Sequence, residues 1–273
     1  MIDVLRSEDI RALLAECPIG QDLRIFKTVN STNAVLAASV PEGAPHGSAV
    51  IADEQSAGKG RLGRSWSSPP GLNLYTSILL RPDRLPSGGF PLLVYLAGVA
   101  VARSVIERAS LAPLLKWPND VWVNRRKLCG ILCESIPDHQ GRAVVMGIGL
   151  NVNAGCGDFP PELKSVATSL KIETGKRFNR CEIIAALYKK IDILYTSFQR
   201  DPAEIIKLWK HFASVPRVRY VIETDDGDVL EGKAVDLDEE GALVLQAENG
   251  ALSRIFSGDV INFSVDGEHA VCR

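Results

Sequence analysis

The sequence has few side chains that bind metals and no excess charge of either sign. Its 273 residues include six cysteines and four histidines, and no two cysteines have the CxxC spacing that is typical of zinc sites. Thirty-one basic and 33 acidic residues give a formal net charge of −2. A zinc-finger site is therefore not expected, and no general basic field would attract nucleic acid.

Long apolar runs are also absent from the sequence. No stretch reaches the ~18 consecutive apolar residues that a membrane span requires. The first ten residues carry acidic side chains early and lack the apolar run of a secretion signal. Free thiols in a chain of this size are typical of a reducing compartment. We therefore expect a soluble, cytoplasmic protein that has no membrane partner.

The distribution of helix and strand patterns predicts two domains. The chain is longer than a usual single domain. Before residue 215, helical segments alternate with apolar strands, and residues 90–109 form the clearest helix. After Pro216, about five short alternating strands follow within fewer than about 50 residues, separated by acidic turns. This pattern is typical of a small all-β barrel, so a domain boundary is expected near residue 215.

The most informative segment is Gln55–Trp66, with the sequence Gln-Ser-Ala-Gly-Lys-Gly-Arg-Leu-Gly-Arg-Ser-Trp. Its three glycines alternate with the cations Lys59, Arg61 and Arg64. Glycines allow the main chain to approach a ligand closely, and interleaved cations supply charge-assisted hydrogen bonds to phosphate. The segment therefore predicts a loop that binds a nucleotide phosphate.

Other glycine-rich nucleotide loops fit this segment less well. It matches the G-x-G-x-x-G pattern of dinucleotide folds, but the following Ser-Ser-Pro-Pro-Gly at residues 67–71 excludes the helix that would face a pyrophosphate. The HRD and DFG motifs of protein kinases and the Walker A motif are absent. An exposed basic loop without a ligand remains the alternative interpretation.

Four further segments place polar residues beside predicted helices or strands. Each of these segments also has a purely structural interpretation as a helix cap, a turn or a solvated strand end. Cys129 and Cys133, which lie in one of them, are expected to be buried and to pack as small hydrophobic side chains. The segments are Ser31-Thr32-Asn33, Lys116-Trp117-Pro118-Asn119-Asp120, the strand Arg126–Glu134 that begins with Lys127 and contains Gly130, and Gly147–Asn153 with Asn151 and Asn153 on one face.

Together with the glycine loop, these segments resemble the biotin–protein ligases, which activate biotin with ATP and attach it to a lysine of a carrier protein. Their order and spacing cover roughly residues 25–265. The first cation of the family's G-[RK]-G-R core is Lys59 here, which retains the charge but loses the planar guanidinium. About 25 residues precede the catalytic unit, so the form without an N-terminal helix-turn-helix domain is expected.

The resemblance implies an α+β fold. The catalytic domain, residues 1–215, would have a mixed sheet with helices packed on it, similar to class II synthetase-like ligases. Residues 216–273 would form an SH3-like β-barrel. The implied substrates are biotin and ATP, with Mg²⁺ entering on the ATP and no metal held by protein side chains.

The resemblance also implies residue roles. Lys127 would bridge the biotin carboxylate and the α-phosphate, and Trp209 would close over the adenine. The implied catalytic residues are Lys127, Arg61 and Asp120; the biotin-binding residues are Ser31, Thr32, Asn33, Gln55, Gly60, Arg61 and Lys127; the nucleotide-binding residues are Lys59, Arg64, Trp66, Lys116, Asn119, Asn151, Asn153 and Trp209.

Several questions stay open at this level. Asp120 is the candidate for orienting the acceptor lysine or taking its proton, with a magnesium-side or structural role as alternatives. The implied acceptor is a biotin carboxyl carrier domain, and a homodimer is left open. The competing functions are a lipoate- or octanoate-transferring relative and a non-catalytic module whose barrel binds protein or nucleic acid. Acidic turns such as Asp225–Asp228 argue against nucleic acid.

Overall fold

The computed structural model describes residues 4–82, 85, 89–138, 141–265 and 268–271. Cys272 and His139, which belong to the cysteines and histidines counted above, lie outside the described residues. Within the described part, the chain forms two β-sheets, and all of the described helices precede the second sheet in the sequence.

Helix α3 (Gly89–Ala109) confirms the helix predicted at residues 90–109, and two further helices, α5 (Arg180–Arg200) and α6 (Pro202–Phe212), begin after capping residues. Asn179 caps α5 by accepting a hydrogen bond from the Cys181 amide at 2.9 Å, and Asp201 caps α6 in the same way through the Ala203 amide. Pro202 occupies the first turn of α6, where its missing amide hydrogen has no consequence. The helices are α1 Ser7–Leu14, α2 Thr32–Ala38, α3 Gly89–Ala109, α4 Leu170–Thr174, α5 Arg180–Arg200 and α6 Pro202–Phe212.

The larger sheet has seven strands in the order β1-β2-β3-β7-β6-β5-β4. β1 and β2 pair in parallel and the other neighbours pair antiparallel, which confirms the predicted mixed sheet. Its strands are β1 Leu23–Val29, β2 Ala49–Gln55, β3 Leu74–Leu80, β4 Leu114–Lys116, β5 Asp120–Val123, β6 Arg126–Asp138 and β7 Gly141–Leu150.

Helix α3 is the central helix of the core. By length and composition alone it could cross a membrane, but 72% of its most apolar 18-residue window is buried inside the protein. It packs against α5, α6 and strands of the larger sheet. Each fully buried Leu or Val side chain contributes about 1.5–3 kcal/mol to the free energy of unfolding. The apolar surface of α3 therefore stabilises its packing between the larger sheet and the helices α5 and α6.

Cys129 and Cys133 lie on β6 and are buried, as the sequence predicts. Burial raises the pKa of both thiols, to about 12 for Cys133. Both thiols are therefore protonated near neutral pH and pack as small apolar groups.

The second sheet is antiparallel, in the order β11-β10-β9-β8-β12-β13. About five strands are predicted from the sequence, and β13 is the additional one. The α+β class with a small all-β C-terminal unit is confirmed. The strands are β8 Val218–Glu223, β9 Val229–Leu237, β10 Leu243–Gln246, β11 Leu252–Ile255, β12 Asp259–Val265 and β13 Glu268–Val271. The boundary near residue 215 falls between α6 and β8 and stays a prediction.

Buried hydrogen bonds join the C-terminal sheet to the larger unit. The Tyr95 hydroxyl on α3 donates to the Gly241 carbonyl at 2.8 Å, and the Trp117 amide donates to the Tyr220 hydroxyl at 3.2 Å. Burial raises the pKa of the Tyr95 hydroxyl, which keeps it protonated as a donor. The C-terminal sheet is thereby held against the residues that follow β4.

Candidate active site

A cavity of about 480 Å³ lies between the larger sheet, the glycine loop and the C-terminal sheet. All but two of the residues implied by the resemblance line it. They come from the start of α2, the end of β2, the glycine loop, β4–β6 and the end of β7: Ser31, Thr32, Asn33, Gln55, Lys59, Gly60, Arg61, Arg64, Trp66, Lys116, Asn119, Asp120, Lys127 and Asn151.

Trp209 and Asn153 do not belong to this lining, and their contact with the nucleotide stays a prediction. Trp209 is 2% exposed and packs on the Tyr95 ring, with 5.0 Å between ring centroids. Asn153 is fully buried; its amide donates to the Phe178 carbonyl and accepts from the Phe178 amide, both at 2.9 Å. Both side chains therefore stabilise the core.

Hydroxyl and amide groups occupy the end of the cavity beside α2. The Thr32 amide and hydroxyl donate to Gln55 Oε1 at 2.9 and 3.2 Å, and the Ser77 hydroxyl donates to Thr32 Oγ1 at 2.8 Å. Ser31 is the N-cap residue that precedes α2, but its side chain makes no capping hydrogen bond, contrary to the capping interpretation. These groups can therefore offer hydrogen bonds to a polar ligand.

Asn33 lines the same end but uses its amide within the protein. Its Nδ2 donates to the Leu132 carbonyl at 3.1 Å and to Glu134 Oε2 at 2.7 Å, and its Oδ1 accepts from Ser77 at 2.5 Å. A side chain at Gly147 would overlap the Asn33 amide. Asn33 therefore shapes the floor of the cavity, and direct contact with biotin stays a prediction.

The glycine loop folds back on itself instead of starting a helix. The Gly60 amide donates to the Arg64 carbonyl at 2.7 Å, and the Trp66 amide donates to the Gly58 carbonyl at 2.9 Å. Its helical part is one 3-10 turn, in which Leu62 adopts φ 53° and Gly63 adopts φ 72°. The predicted absence of a following helix is thus confirmed within the described loop, and no helix terminus can bind a phosphate here.

Trp66 closes the loop by packing on two strand glycines. A Cβ atom on Gly130 or Gly149 would lie 2.8 or 2.5 Å from the indole ring, so both positions must lack a side chain. The indole Nε1 has no hydrogen-bond partner among the described residues. The ring therefore covers β6 and β7 and leaves one buried donor inside the cavity wall.

The β5–β6 hairpin brings the side chains of Lys127 and Asp120 together. Asn124 and Arg125 form its turn with φ values of 47° and 63°, as two-residue hairpins require. Lys127 Nζ lies 2.7 Å from Asp120 Oδ1 and 5.5 Å from the centroid of the Trp66 ring. Oδ1 has no aligned hydrogen-bond donor among the described residues, so the contact is ionic. Lys127 is therefore a paired cation facing the indole.

Asn119 follows β4 and is fixed by β6. Its Nδ2 donates to the Ile131 carbonyl at 2.7 Å, and the Ile131 amide donates to the Asn119 carbonyl at 3.0 Å. The amide group that the sequence places at the strand end thus fixes the Lys116–Asp120 segment against β6, and its contact with a nucleotide stays a prediction.

Two loop arginines extend to the C-terminal sheet. Arg61 Nη1 donates to the Gly258 carbonyl at 3.4 Å, and Arg64 forms an ion pair with Asp259. Burial lowers the pKa of the Arg61 guanidinium, while the charges of Asp120 and Asp259 act in the opposite direction. The loop therefore contacts both domains, and Arg61 carries its charge in a partly desolvated position.

Sequence reasoning missed two parts of the lining. The first is an apolar wall from the segment after β7, formed by Phe159, Leu163, Val166 and Ala167, and the second comes from β12 with Asp259, Val260 and Ile261. The Lys127 amide donates to the Val166 carbonyl at 2.7 Å, and Asn151 Nδ2 donates to the Thr168 carbonyl at 2.9 Å. Irregular apolar segments have no periodicity, so only these motif-residue contacts reveal them.

The carboxylates of the lining are Asp120 and Asp259, and each faces a cation. The described residues contain no group of three or more His, Cys, Asp or Glu side chains that could hold a metal. Mg²⁺ usually keeps several waters and binds through one or two carboxylates plus substrate phosphates. The site therefore fits a magnesium ion that the phosphates of ATP carry, with Asp120 and Asp259 as the available carboxylates.

A cavity that is polar at one end and cationic along two walls has the chemistry that an enzyme needs to bind a small acid beside a nucleotide. Residues 25–151 match the Biotin/lipoate A/B protein ligase family, and residues 221–261 match the Biotin protein ligase C terminal domain.

Two relatives and one solved structure are similar over most of the chain. The Bifunctional ligase/repressor BirA of Bacillus subtilis is 35% identical over 258 residues, which are 94% of this chain and 78% of the relative. The Biotin--[acetyl-CoA-carboxylase] ligase of Mycobacterium tuberculosis is 30% identical, covering 89% of each chain. The Aquifex aeolicus biotin protein ligase in complex with biotin and ATP superposes with a TM-score of 0.77 at 30% identity, covering 90% of this chain and 99% of that one. The chain therefore belongs to the Biotin/lipoate A/B protein ligase family.

Proposed function

We propose that this protein is an ATP-dependent biotin–protein ligase. It activates biotin to biotinyl-5′-AMP with release of pyrophosphate, and it transfers biotin to a lysine of a biotin carboxyl carrier protein. The observation that carries the proposal is one cavity that Lys127 lines together with the polar groups of Thr32 and Gln55 and the loop cations Lys59 and Arg61.

In the first step, the biotin carboxylate attacks the α-phosphate of ATP. Negative charge builds up on the phosphate oxygens, so fixed cations lower the barrier most. Lys127 contacts both the carboxylate and the α-phosphate, and Arg61 and Lys59 stabilise the charge from the loop side. Asp120 holds the Lys127 ammonium in place, since the two charged groups lie 2.7 Å apart.

In the second step, the acceptor lysine attacks the mixed anhydride and expels AMP. The incoming amine must be neutral to react, and a carboxylate beside it can accept or orient its proton. Asp120 takes this role, because it lies in the cavity next to Lys127. No enzyme nucleophile is required.

The remaining assignments follow the position of each group. Ser31, Thr32, Gln55 and Gly60 bind the biotin head group at the polar end, next to Asn33. Lys116, Asn119, Asn151, Arg64 and Trp66 line the nucleotide side. The loop covers the adenylate and keeps water from the reactive anhydride.

The setting of the reaction is also part of the proposal. The carrier domain is the protein partner, and no nucleic-acid or membrane partner is invoked. A cytoplasmic location is supported by the free thiols of Cys17, Cys129, Cys133 and Cys156. A homodimer is compatible with the reaction but is not needed to complete the cavity from the described residues.

Incubation with ATP and labelled biotin tests the function directly. A biotin ligase releases pyrophosphate and accumulates an acid-labile biotinyl adenylate, which a carrier domain then consumes. Parallel reactions with lipoate and octanoate separate the related activity. The absence of pyrophosphate and adenylate with all three acids would contradict an enzymatic role.

A further inference from the structure

Lys116 is a buried cation to which the described residues offer no carboxylate partner. It is 7% exposed and lines the cavity. Arg64 and Lys127, which line the same cavity, face Asp259 and Asp120, whereas no ion pair joins Lys116 to an acidic residue in the part of the chain that the structure describes. A buried charge is unfavourable unless it is paired, so a ligand that enters the cavity should supply the opposite charge.

Two aromatic rings hold the Lys116 ammonium. Its Nζ lies 5.0 Å from the centroid of the Trp122 ring and 5.2 Å from that of the Phe263 ring. Both distances are within the ~6 Å range of cation–π attraction. The two rings meet edge to face, with centroids 5.0 Å apart and planes at 86°. The two rings thus fix the position of the Lys116 ammonium, and its positive charge stays available to a ligand.

One of these rings comes from the C-terminal sheet. Phe263 lies on β12, whereas Lys116 and Trp122 lie on β4 and β5. Tyr220 fixes the junction: its hydroxyl accepts a hydrogen bond from the Trp117 amide at 3.2 Å, and its ring stacks on Phe263 with centroids 6.1 Å apart. Trp117, which follows Lys116, and Phe263, whose ring faces the Lys116 ammonium, therefore both contact Tyr220.

We propose that Phe263 is a positioning residue: with Trp122 it holds the Lys116 ammonium on the phosphate chain of ATP. The C-terminal domain thereby contributes to nucleotide binding through an aromatic side chain that need not touch the nucleotide. This inference rests on the proposed ligase function, and it concerns one step of it, the binding of the phosphate chain.

Phe263→Leu tests the inference, since leucine keeps an apolar side chain but has no π face. KM for ATP and the inhibition constant of inorganic pyrophosphate should rise about tenfold, which corresponds to the loss of one desolvated cation–π contact. KM for biotin should stay unchanged, and Phe263→Tyr should restore most of the ATP affinity. Leu245→Val is the matched control, because Leu245 is buried in the same sheet and does not line the cavity.

A double-mutant cycle separates positioning from packing. Lys116→Met removes the charge at similar length and should itself raise KM for ATP. In that background Phe263→Leu should have no further effect. Additive effects, or an equal loss in Leu245→Val, would overturn the inference, because they would mean that the ring acts through domain stability. Thermal unfolding of each variant verifies the fold.

Failure of the proposed function is distinguishable from failure of this inference. If the unmodified protein forms no biotinyl adenylate, the function is wrong. Calorimetric titration with ATP and with pyrophosphate then tests the ring contact by itself. An equal loss of affinity in Phe263→Leu and Lys116→Met supports it, and an unchanged affinity in Phe263→Leu overturns it.

Discussion

The cavity has two cationic walls of different construction, the glycine loop and the strands β4–β6. In the loop, Leu62 is 60% exposed at positive φ, and Arg64 pairs with Asp259 near the surface. On the strands, Lys116 is buried between rings, and Lys127 is fixed by Asp120. Ladder hydrogen bonds hold the strand cations in place before substrate binds, whereas the loop cations depend on a few local contacts. The strand wall should therefore supply most of the catalysis and the loop most of the coverage.

The largest effect is expected at the centre of the strand wall. Lys127→Ala should lower adenylate formation by about 10²–10³-fold, because the charge that stabilises the transition state is lost. The measurement is biotin-dependent pyrophosphate release. Lys27→Ala on the exposed face of β1 is the control and should be silent. Near-normal pyrophosphate release by Lys127→Ala would contradict the catalytic role assigned to the strand wall.

The sequence predicts the strand wall well because polar residues interrupt otherwise apolar alternation at strand ends, as at Lys127. It does not predict that Asn153 lies outside the cavity lining, for a physical reason. Asn151 and Asn153 would share a face on a continuous strand, but β7 ends at Leu150, so the two side chains separate. Trp209 lies on the buried face of the amphipathic helix α6, where a core aromatic and a ligand-binding one have the same local pattern.

The contribution of the C-terminal sheet to the site could not be predicted from local patterns. Asp259 and Phe263 lie in a short alternating strand that resembles its neighbours in the sequence. Their role depends on how the two units pack, which Tyr95 and Tyr220 determine through hydrogen bonds to Gly241 and Trp117. Contacts between residues more than a hundred positions apart leave no periodic signal in one chain.

The next largest effect is expected for a substitution at Asp120, which should separate adenylate formation from transfer to the carrier lysine. Asp120→Asn removes the charge but keeps the shape and an oxygen that can still face Lys127, so transfer to the carrier lysine should slow by about 10²-fold while adenylate formation falls much less. Single-turnover measurements of each step provide the readout. If both steps keep the rates of the unmodified protein, Asp120 does not accept the proton. An equal loss in both steps would mean that Asp120 acts only by fixing Lys127.

A smaller effect is expected where the loop meets the strands. Gly149→Ala places a Cβ atom 2.5 Å from the Trp66 indole, so the ring must shift and the loop must open. Overpacking of this kind costs about 1–3 kcal/mol, and KM for ATP should rise roughly tenfold because Trp66 lines the nucleotide side. Gly157→Ala is the matched control, since no atom lies within 4 Å of its added Cβ. An unchanged KM in Gly149→Ala would mean that the packing of Trp66 on β7 is not required.

The smallest effect belongs to the exposed part of the loop wall. The side chains of Arg64 and Asp259 are 60% and 34% exposed, and surface ion pairs contribute only about 0.2–1 kcal/mol because water and salt screen them. Arg64→Gln should therefore raise KM for ATP by less than about fivefold at low salt. The difference should disappear in ~1 M salt, where the screening length falls to about 3 Å.

If exchanging the two charges, with Arg64→Asp and Asp259→Arg together, restores the low-salt value, Arg64 acts through the ion pair and merely holds the loop closed. A deficit that persists in high salt and is not restored would mean that Arg64 contacts the nucleotide itself, and the loop wall would then share the fixed-charge role assigned to the strands.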